Sequence, residues 1–111
     1  MKYLFEDLLY KYKVDMAFWA HYHAYERTCP VYKEVCQEGA PVHIVVGTAG
    51  KVLDHSDYWP VSWSVYRDQS NFGYGRITVA NSSSMHFEFV RNKDGVVEDE
   101  VWIHHDSNLY L

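Results

Sequence analysis

Val14-Asp15-Met16-Ala17-Phe18-Trp19-Ala20-His21-Tyr22-His23-Ala24-Tyr25-Glu26-Arg27 is the stretch on which the reading of this chain turns. It starts as a nearly continuous apolar run and breaks abruptly into polar chemistry. Val14 to Ala20 has no helical period, and a short unbroken apolar run predicts a β-strand covered on both faces. Ahead of it, Leu4, Phe5, Leu8, Leu9 and Tyr12 recur at the spacing of one helical face, which predicts a helix over Tyr3–Lys13. Glu6 and Asp7 are expected in its first turn and Lys11 and Lys13 at its end, where they suit the helix dipole. A helix running directly into a buried strand predicts an α/β fold.

His21 and His23 stand where that strand should end. In extended backbone, residues i and i+2 point to one side, so both imidazoles can face one pocket. Neutral imidazole is a common ligand for zinc and related metals. The ions of two-metal hydrolases sit about 3.5–4 Å apart, so neighbouring ligands can share one ion or hold one each. In α/β sheets, sites collect at the carboxyl ends of strands. The competing reading is an ordinary pair of packed or solvated histidines. Tyr25, Glu26 and Arg27 follow at once, and charges beside a core need partners. Glu26 and Arg27 are therefore expected to pair, as a structural ion pair or as a brace for the histidine loop. Tyr25 either packs beneath that loop or borders a substrate site.

Downstream, Thr28 to Glu38 reads as a loop or irregular hairpin, and Gly39-Ala40-Pro41 as punctuation. Val42 to Val46 is a second apolar strand. Gly47-Thr48-Ala49-Gly50 lacks the lysine and spacing of a phosphate-binding loop and reads as a structural turn near the site mouth. Lys51 to Asn71 shows no clear period; Asp54, His55 and Asp57 within it read as a solvated loop. Phe72-Gly73-Tyr74-Gly75-Arg76 leads into a strand over Ile77–Ala80. Met85, Phe87 and Phe89 alternate with His86, Glu88 and Val90, which is a strand pattern, and Asn92-Lys93-Asp94-Gly95 is a hairpin turn. Val96 to Ile103 supplies the returning strand, and His104, His105 and Asp106 are expected in an exposed tail. His43 and His86 read as structural. The second half is expected to be mostly antiparallel.

A chain of 111 residues suits one small domain. Hydrophobic residues at 48% argue against disorder. A net charge of −5 without a basic patch argues against nucleic acid as a partner. The sequence holds no apolar run of about 18 residues, so no membrane span is expected. Met1-Lys2-Tyr3-Leu4-Phe5-Glu6-Asp7 does not read as a signal peptide, because acidic residues precede any apolar segment. Cys29 and Cys36 fit none of the common zinc spacings. Their spacing leaves open a disulfide or two free thiols.

The run Ala20–Tyr32, AHYHAYERTCPVY, resembles the last metal-binding block of the purple acid phosphatases, within the calcineurin-like metallophosphoesterases. That block is written G-H-x-H followed by A-Y-E-R. The segments YKVD, GTAG, FGYGR and NKDGVVEDEVWI fall in the order expected of the C-terminal end of an animal-type member. The resemblance implies the C-terminal part of a metallophosphatase-type α-β-β-α sandwich. It divides this partial domain into the end of the catalytic domain, 1–50, and a C-terminal region, 51–111.

The resemblance further implies that His21 binds a divalent ion (zinc, iron or manganese) and His23 a ferric ion. The implied activity is acid phosphatase chemistry, a metal-assisted hydrolysis of phosphate monoesters. Ala20 replaces the glycine of the plant form, and Tyr22 stands where a small or acidic residue is more usual. The family's earlier ligand blocks, G-D-x-G, G-D-x-x-Y, G-N-H-[DE] and V-x-x-H, are not found in these residues. The chain alone is therefore expected to be inactive and to hold at most one weakly bound metal. The alternative is a non-catalytic metal-binding or regulatory module derived from the phosphatase. Family members are commonly secreted or lysosomal, which favours a Cys29–Cys36 disulfide. It also makes Asn81, in the sequon Asn81-Ser82-Ser83, a glycosylation candidate.

Overall fold

The computed structural model describes residues 2–55 and 61–105. Asp57 and Asp106 lie outside these residues. The described chain is mostly strand, with one helix, α1, over Lys2–Lys11. The strands are β1 Met16–Trp19, β2 Tyr25–Tyr32, β3 Val35–Cys36 and β4 Val42–Val46, then β5 Ser64–Asp68, β6 Gly73–Asn81, β7 Ser84–Arg91 and β8 Val97–His104.

These strands make two sheets. The larger has the order β1-β4-β2-β3, with β5 also pairing β2. Its β1 and β4 are parallel, Met16 facing Val42 and Trp19 facing Val45, and this pair carries the α/β character. The smaller sheet is an antiparallel meander, β6-β7-β8. The core lies where the two sheets meet. Tyr25, Val42 and Ile44 come from the larger sheet, and Phe87, Phe89 and Ile103 from the smaller. Fully burying a side chain such as Ile44 or Phe87 contributes about 1.5–3 kcal/mol. Gly73 allows β6 to lie over this layer, since a Cβ there would stand 2.6 Å from the Phe89 ring.

Several elements depart from the sequence reading. The helix starts earlier than expected, so Glu6 and Asp7 fall outside its first turn and Lys13 beyond its end. Both acids instead tie α1 to the β2–β3 turn: Glu6 accepts a hydrogen bond from the Lys33 backbone N–H at 2.6 Å, and Asp7 accepts one from the Tyr32 hydroxyl. β1 is not covered on both faces. It is the edge strand of its sheet, and Phe18 is 46% exposed.

β2 begins at Tyr25, directly after the histidine pair, and takes in residues expected to be loop. β5 occupies part of the segment that showed no period. It forms because β2 offers it Tyr25 through Thr28 as hydrogen-bonding partners, a signal that local sequence does not carry. His104 ends β8 with its ring bonded to Ser84, and His105 is held by Asp15 at 2.6 Å, so neither lies in a free tail.

Candidate metal centre

The parallel pair sets the site's position. β1 and β4 run the same way, so Ala20–Ala24 and Gly47–Gly50 leave the sheet at the same carboxyl-terminal edge. The two loops are sewn together. Gly47 N–H donates to the Ala24 carbonyl at 3.1 Å, and Ala24 N–H donates to the Tyr22 carbonyl at 2.9 Å. A Cβ at Gly47 would stand 1.9 Å from the Tyr22 carbonyl oxygen, so only glycine fits this approach.

His21 takes a positive φ of 77°, in the left-handed region that non-glycine residues seldom adopt. Strained backbone of this kind concentrates at functional positions. The bend exposes the His21 side chain at the rim. His23 is half-buried, and its Nδ1 is buried without a hydrogen-bond partner. Buried polar atoms are satisfied in the great majority of cases, so an orphaned imidazole nitrogen is what a ligand position looks like.

Asp54 holds the His23 backbone from both sides. Its carboxylate accepts the His23 N–H at 2.7 Å, and its own N–H donates to the His23 carbonyl at 2.9 Å. The solvated reading of Asp54 is thereby corrected: the carboxylate is half-buried and fixes the loop. His55 is exposed, as a solvated loop residue should be. Tyr22 also turns inward to protein, its hydroxyl accepting from Arg67 at 2.9 Å and Gln69 at 2.6 Å.

Glu26 and Arg27 do not pair with each other. Neighbours on a strand face opposite ways, so Arg27 shares a face with Tyr25 while Glu26 points to the other. Arg27 makes a bidentate bond to Asp99 at 2.8 and 3.0 Å. Glu26 accepts from Ser64 at 2.9 Å and lies 3.8 Å from Arg67. Tyr25 is fully buried, stacked on Phe89 at 4.1 Å, and its hydroxyl donates to Asp99 at 2.6 Å. Burial first, then the bond to Asp99, pushes the Tyr25 phenol far above its ordinary range, so it stays protonated and donating. The Tyr25–Arg27–Asp99 cluster thus bolts the strand that follows the histidines to β8 of the other sheet. Asp99 had no motif to mark it, because its partners lie 72 and 74 residues away.

Cys29 and Cys36 are joined by a disulfide that closes the β2–β3 hairpin. Asn81, the last residue of β6, is exposed, and its side chain accepts from the Ser83 N–H in the turn that follows. A separate cavity of about 260 Å³ lies beneath α1, walled largely by Phe5, Leu9, Trp19, Val45 and Trp63; neither His21 nor His23 lines it.

As a metal site, the donor chemistry of His21 and His23 fits: two imidazoles, one of them offering a buried, unpartnered nitrogen. Among the described residues, no third histidine, cysteine or carboxylate oxygen gathers with them. Two imidazoles alone do not complete the coordination of such an ion.

Residues 40–100 match the model of a family described as iron/zinc purple acid phosphatase-like protein C. The mouse protein acid phosphatase type 7 is 38% identical, the match covering 88% of this chain and 25% of that protein. An Arabidopsis thaliana protein named "Probable inactive purple acid phosphatase 27" is 36% identical, covering 88% of this chain and 18% of that one. Among solved structures, a purple acid phosphatase from yellow lupin seeds superposes with a TM-score of 0.87 at 33% identity, over 94% of this chain and 20% of that one. The chain thus spans about a fifth to a quarter of the length of these relatives.

Proposed function

The chain belongs to the iron/zinc purple acid phosphatase-like C family, and on that premise we propose that it carries the last His-x-His ligand block of an acid phosphatase. His21 would hold the divalent ion and His23 the ferric ion of a dinuclear centre. When bound, such a centre supplies Lewis-acid stabilisation for hydrolysis of a phosphate monoester. The chain's own residues present and orient the two imidazoles. Asp54 and Gly47 fix the loop's path, Tyr22 anchors it to Arg67 and Gln69, and Tyr25 with Arg27 secures the strand behind it.

The observation that carries this reading is the His23 loop, with an orphaned imidazole nitrogen at the carboxyl end of a parallel strand. Residues 1–50 are read as the close of the catalytic domain and 51–111 as its C-terminal region. With only two ligands of the set, the isolated chain should be catalytically silent and hold at most one metal weakly at this loop. The disulfide supports a secreted or lysosomal protein, and in that setting Asn81 would be glycosylated. No helix among the described residues is long and apolar enough to cross a membrane.

Assay of the 111-residue chain with p-nitrophenyl phosphate, iron and zinc tests this directly. No turnover is expected, and metal held weakly at the His21–His23 loop is lost on His23→Ala. Turnover that His21→Ala or His23→Ala abolishes would overturn the silent reading. Metal binding unaffected by either substitution would overturn the ligand assignment. A second reading is a non-catalytic metal-binding or regulatory module, favoured by the relative described as inactive. It requires a monomer with a sharp thermal transition, which gel filtration and calorimetry would reveal.

A further inference from the structure

The small sheet carries a second cluster of ligand-type side chains, none of them in the His21–His23 loop. On β7, His86 and Glu88 point away from the face that buries Phe87 and Phe89. Across the meander, Glu100 of β8 stands directly opposite Glu88, and Trp102 opposite His86. Ligand atoms of His86, Glu88 and Glu100 all lie within 4.8 Å of one another.

His86 cannot move freely. Its ring stacks on Trp102 with centroids 4.6 Å apart and planes 11° from parallel. Its Nε2 is buried and makes no hydrogen bond. The nearest carboxylate to it is Glu100, whose Oε2 is 3.5 Å away, and Glu88 Oε1 is 3.8 Å from Nδ1. Both separations are long for a hydrogen bond.

The 3.5 Å between Nε2 and Glu100 is not long for two ligands of one ion; Glu88 lies nearer the other ring nitrogen and belongs to the group through the common 4.8 Å spacing. Donors bound to a tetrahedral zinc at about 2.0–2.1 Å stand about 3.3–3.4 Å from each other. The charge arrangement points the same way. Carboxylates directly opposite on neighbouring strands repel. Arg76 answers that only for Glu88, through bonds of 3.0 and 3.1 Å, and leaves Glu100 facing an imidazole nitrogen without a proton partner.

We infer that His86 Nε2 and Glu100 bind a divalent transition ion of the zinc type, with Glu88 as third ligand. Glu88 joins by releasing one of its two bonds to Arg76 and keeps the other, which holds its carboxylate in place. An imidazole with two carboxylates suits zinc better than magnesium or calcium, which prefer oxygen alone. His86 is then a ligand, where the sequence read it as structural.

Zinc alone is titrated into the 111-residue chain carrying His21→Ala and His23→Ala, followed by calorimetry and by tryptophan emission. One zinc is expected to bind and to change the emission, because Trp102 stacks on the ligand. Glu100→Gln, at a mostly exposed position where the fold is preserved, should weaken binding by about tenfold or more. His86→Gln should do the same, and Trp102→Phe should remove the emission change but not the heat. The inference is overturned if the chain takes up no zinc at millimolar concentration. It is overturned equally if Glu100→Gln leaves the affinity unchanged, or if His104→Ala is what abolishes binding.

Discussion

At Gly47 the Tyr22 carbonyl occupies the space a side chain would need. Gly47→Ala must push the two loops apart, and the histidines move with them. Loss of metal affinity at His23 is expected to exceed the loss of stability, which should be about 1–3 kcal/mol. Zinc titration beside urea denaturation separates the two. Asp54 acts on the same loop through the backbone. Asp54→Ala is expected to lower metal affinity by about tenfold, again read by zinc titration, while the transition temperature moves little because the residue is only half-buried. Asp99 differs in kind, since removing it leaves Arg27 charged and 15% exposed without a counter-ion. Asp99→Ala should cost about 3–5 kcal/mol in chemical denaturation. His21 and His23 stood out as ligand candidates through their spacing together with the family resemblance. Asp54 and Asp99 were not, because a carboxylate's role depends on which backbone or cation folding brings to it.

At the scale of elements, the β2–β3 hairpin joins the histidine strand to α1. The disulfide spans seven residues of sequence, and a loop that short is worth about 2–3 kcal/mol by restriction of the unfolded chain. Replacing both cysteines with serine should lower stability by about that amount, measured by urea denaturation, and leave the His23 loop intact. β4 and β7 announced themselves. Val42 to Val46 is apolar apart from His43 and buries two side chains, and Phe87 and Phe89 alternate as an inward face should. β5 did not, because Ser64-Val65-Tyr66-Arg67-Asp68 carries neither an apolar run nor a clean alternation. Its hydrogen bonds to β2 make it a strand, and β2 offers that edge only after the chain has turned at His21.

Across the whole molecule, acid groups join the two sheets. Asp68 of β5 and Glu98 of β8 converge on the Asn71 side-chain amide, at 2.8 and 3.4 Å. Burial first, then the neighbouring Asp68, pushes the Glu98 carboxyl up to about 7. Burial works against ionisation of Asp68 too, but hydrogen bonds from Glu98, Asn71 and the Ser70 backbone together hold it below the usual range. The signs are opposite. Glu98 binds its proton more tightly when folded, so its contribution is full at acidic pH and is lost as pH rises from the ordinary glutamate range through about 7. The Asp68 contribution is present above the ordinary aspartate range and lost on further acidification. Stability is therefore expected to fall between about pH 4.5 and 7, and Glu98→Gln should flatten that limb in thermal melts taken across pH.

The molecule also leaves apolar surface uncovered on the Phe87 side of the small sheet. Phe18 packs on Phe87 yet is 46% exposed, and Ile77 and Val79 beside it are 47% and 72% exposed. The isolated chain is expected to self-associate through this face, and Val79→Lys should shift sedimentation toward monomer.

By itself the sequence determined the helix, the strands over Met16–Trp19 and Val42–Val46, the hairpin at Asn92–Gly95 and the family resemblance, because each rests on contacts or spacings local to the chain. Only the tertiary structure decided which carboxylate holds which partner. It alone made β1 an edge, recruited β5, set Arg27 on Asp99 rather than Glu26, and gathered His86, Glu88 and Glu100 on one face. Those outcomes depend on strand order and register. Neither is encoded by any one segment, since a strand's neighbours come from distant stretches and a single residue's shift in register turns every side chain to the opposite face.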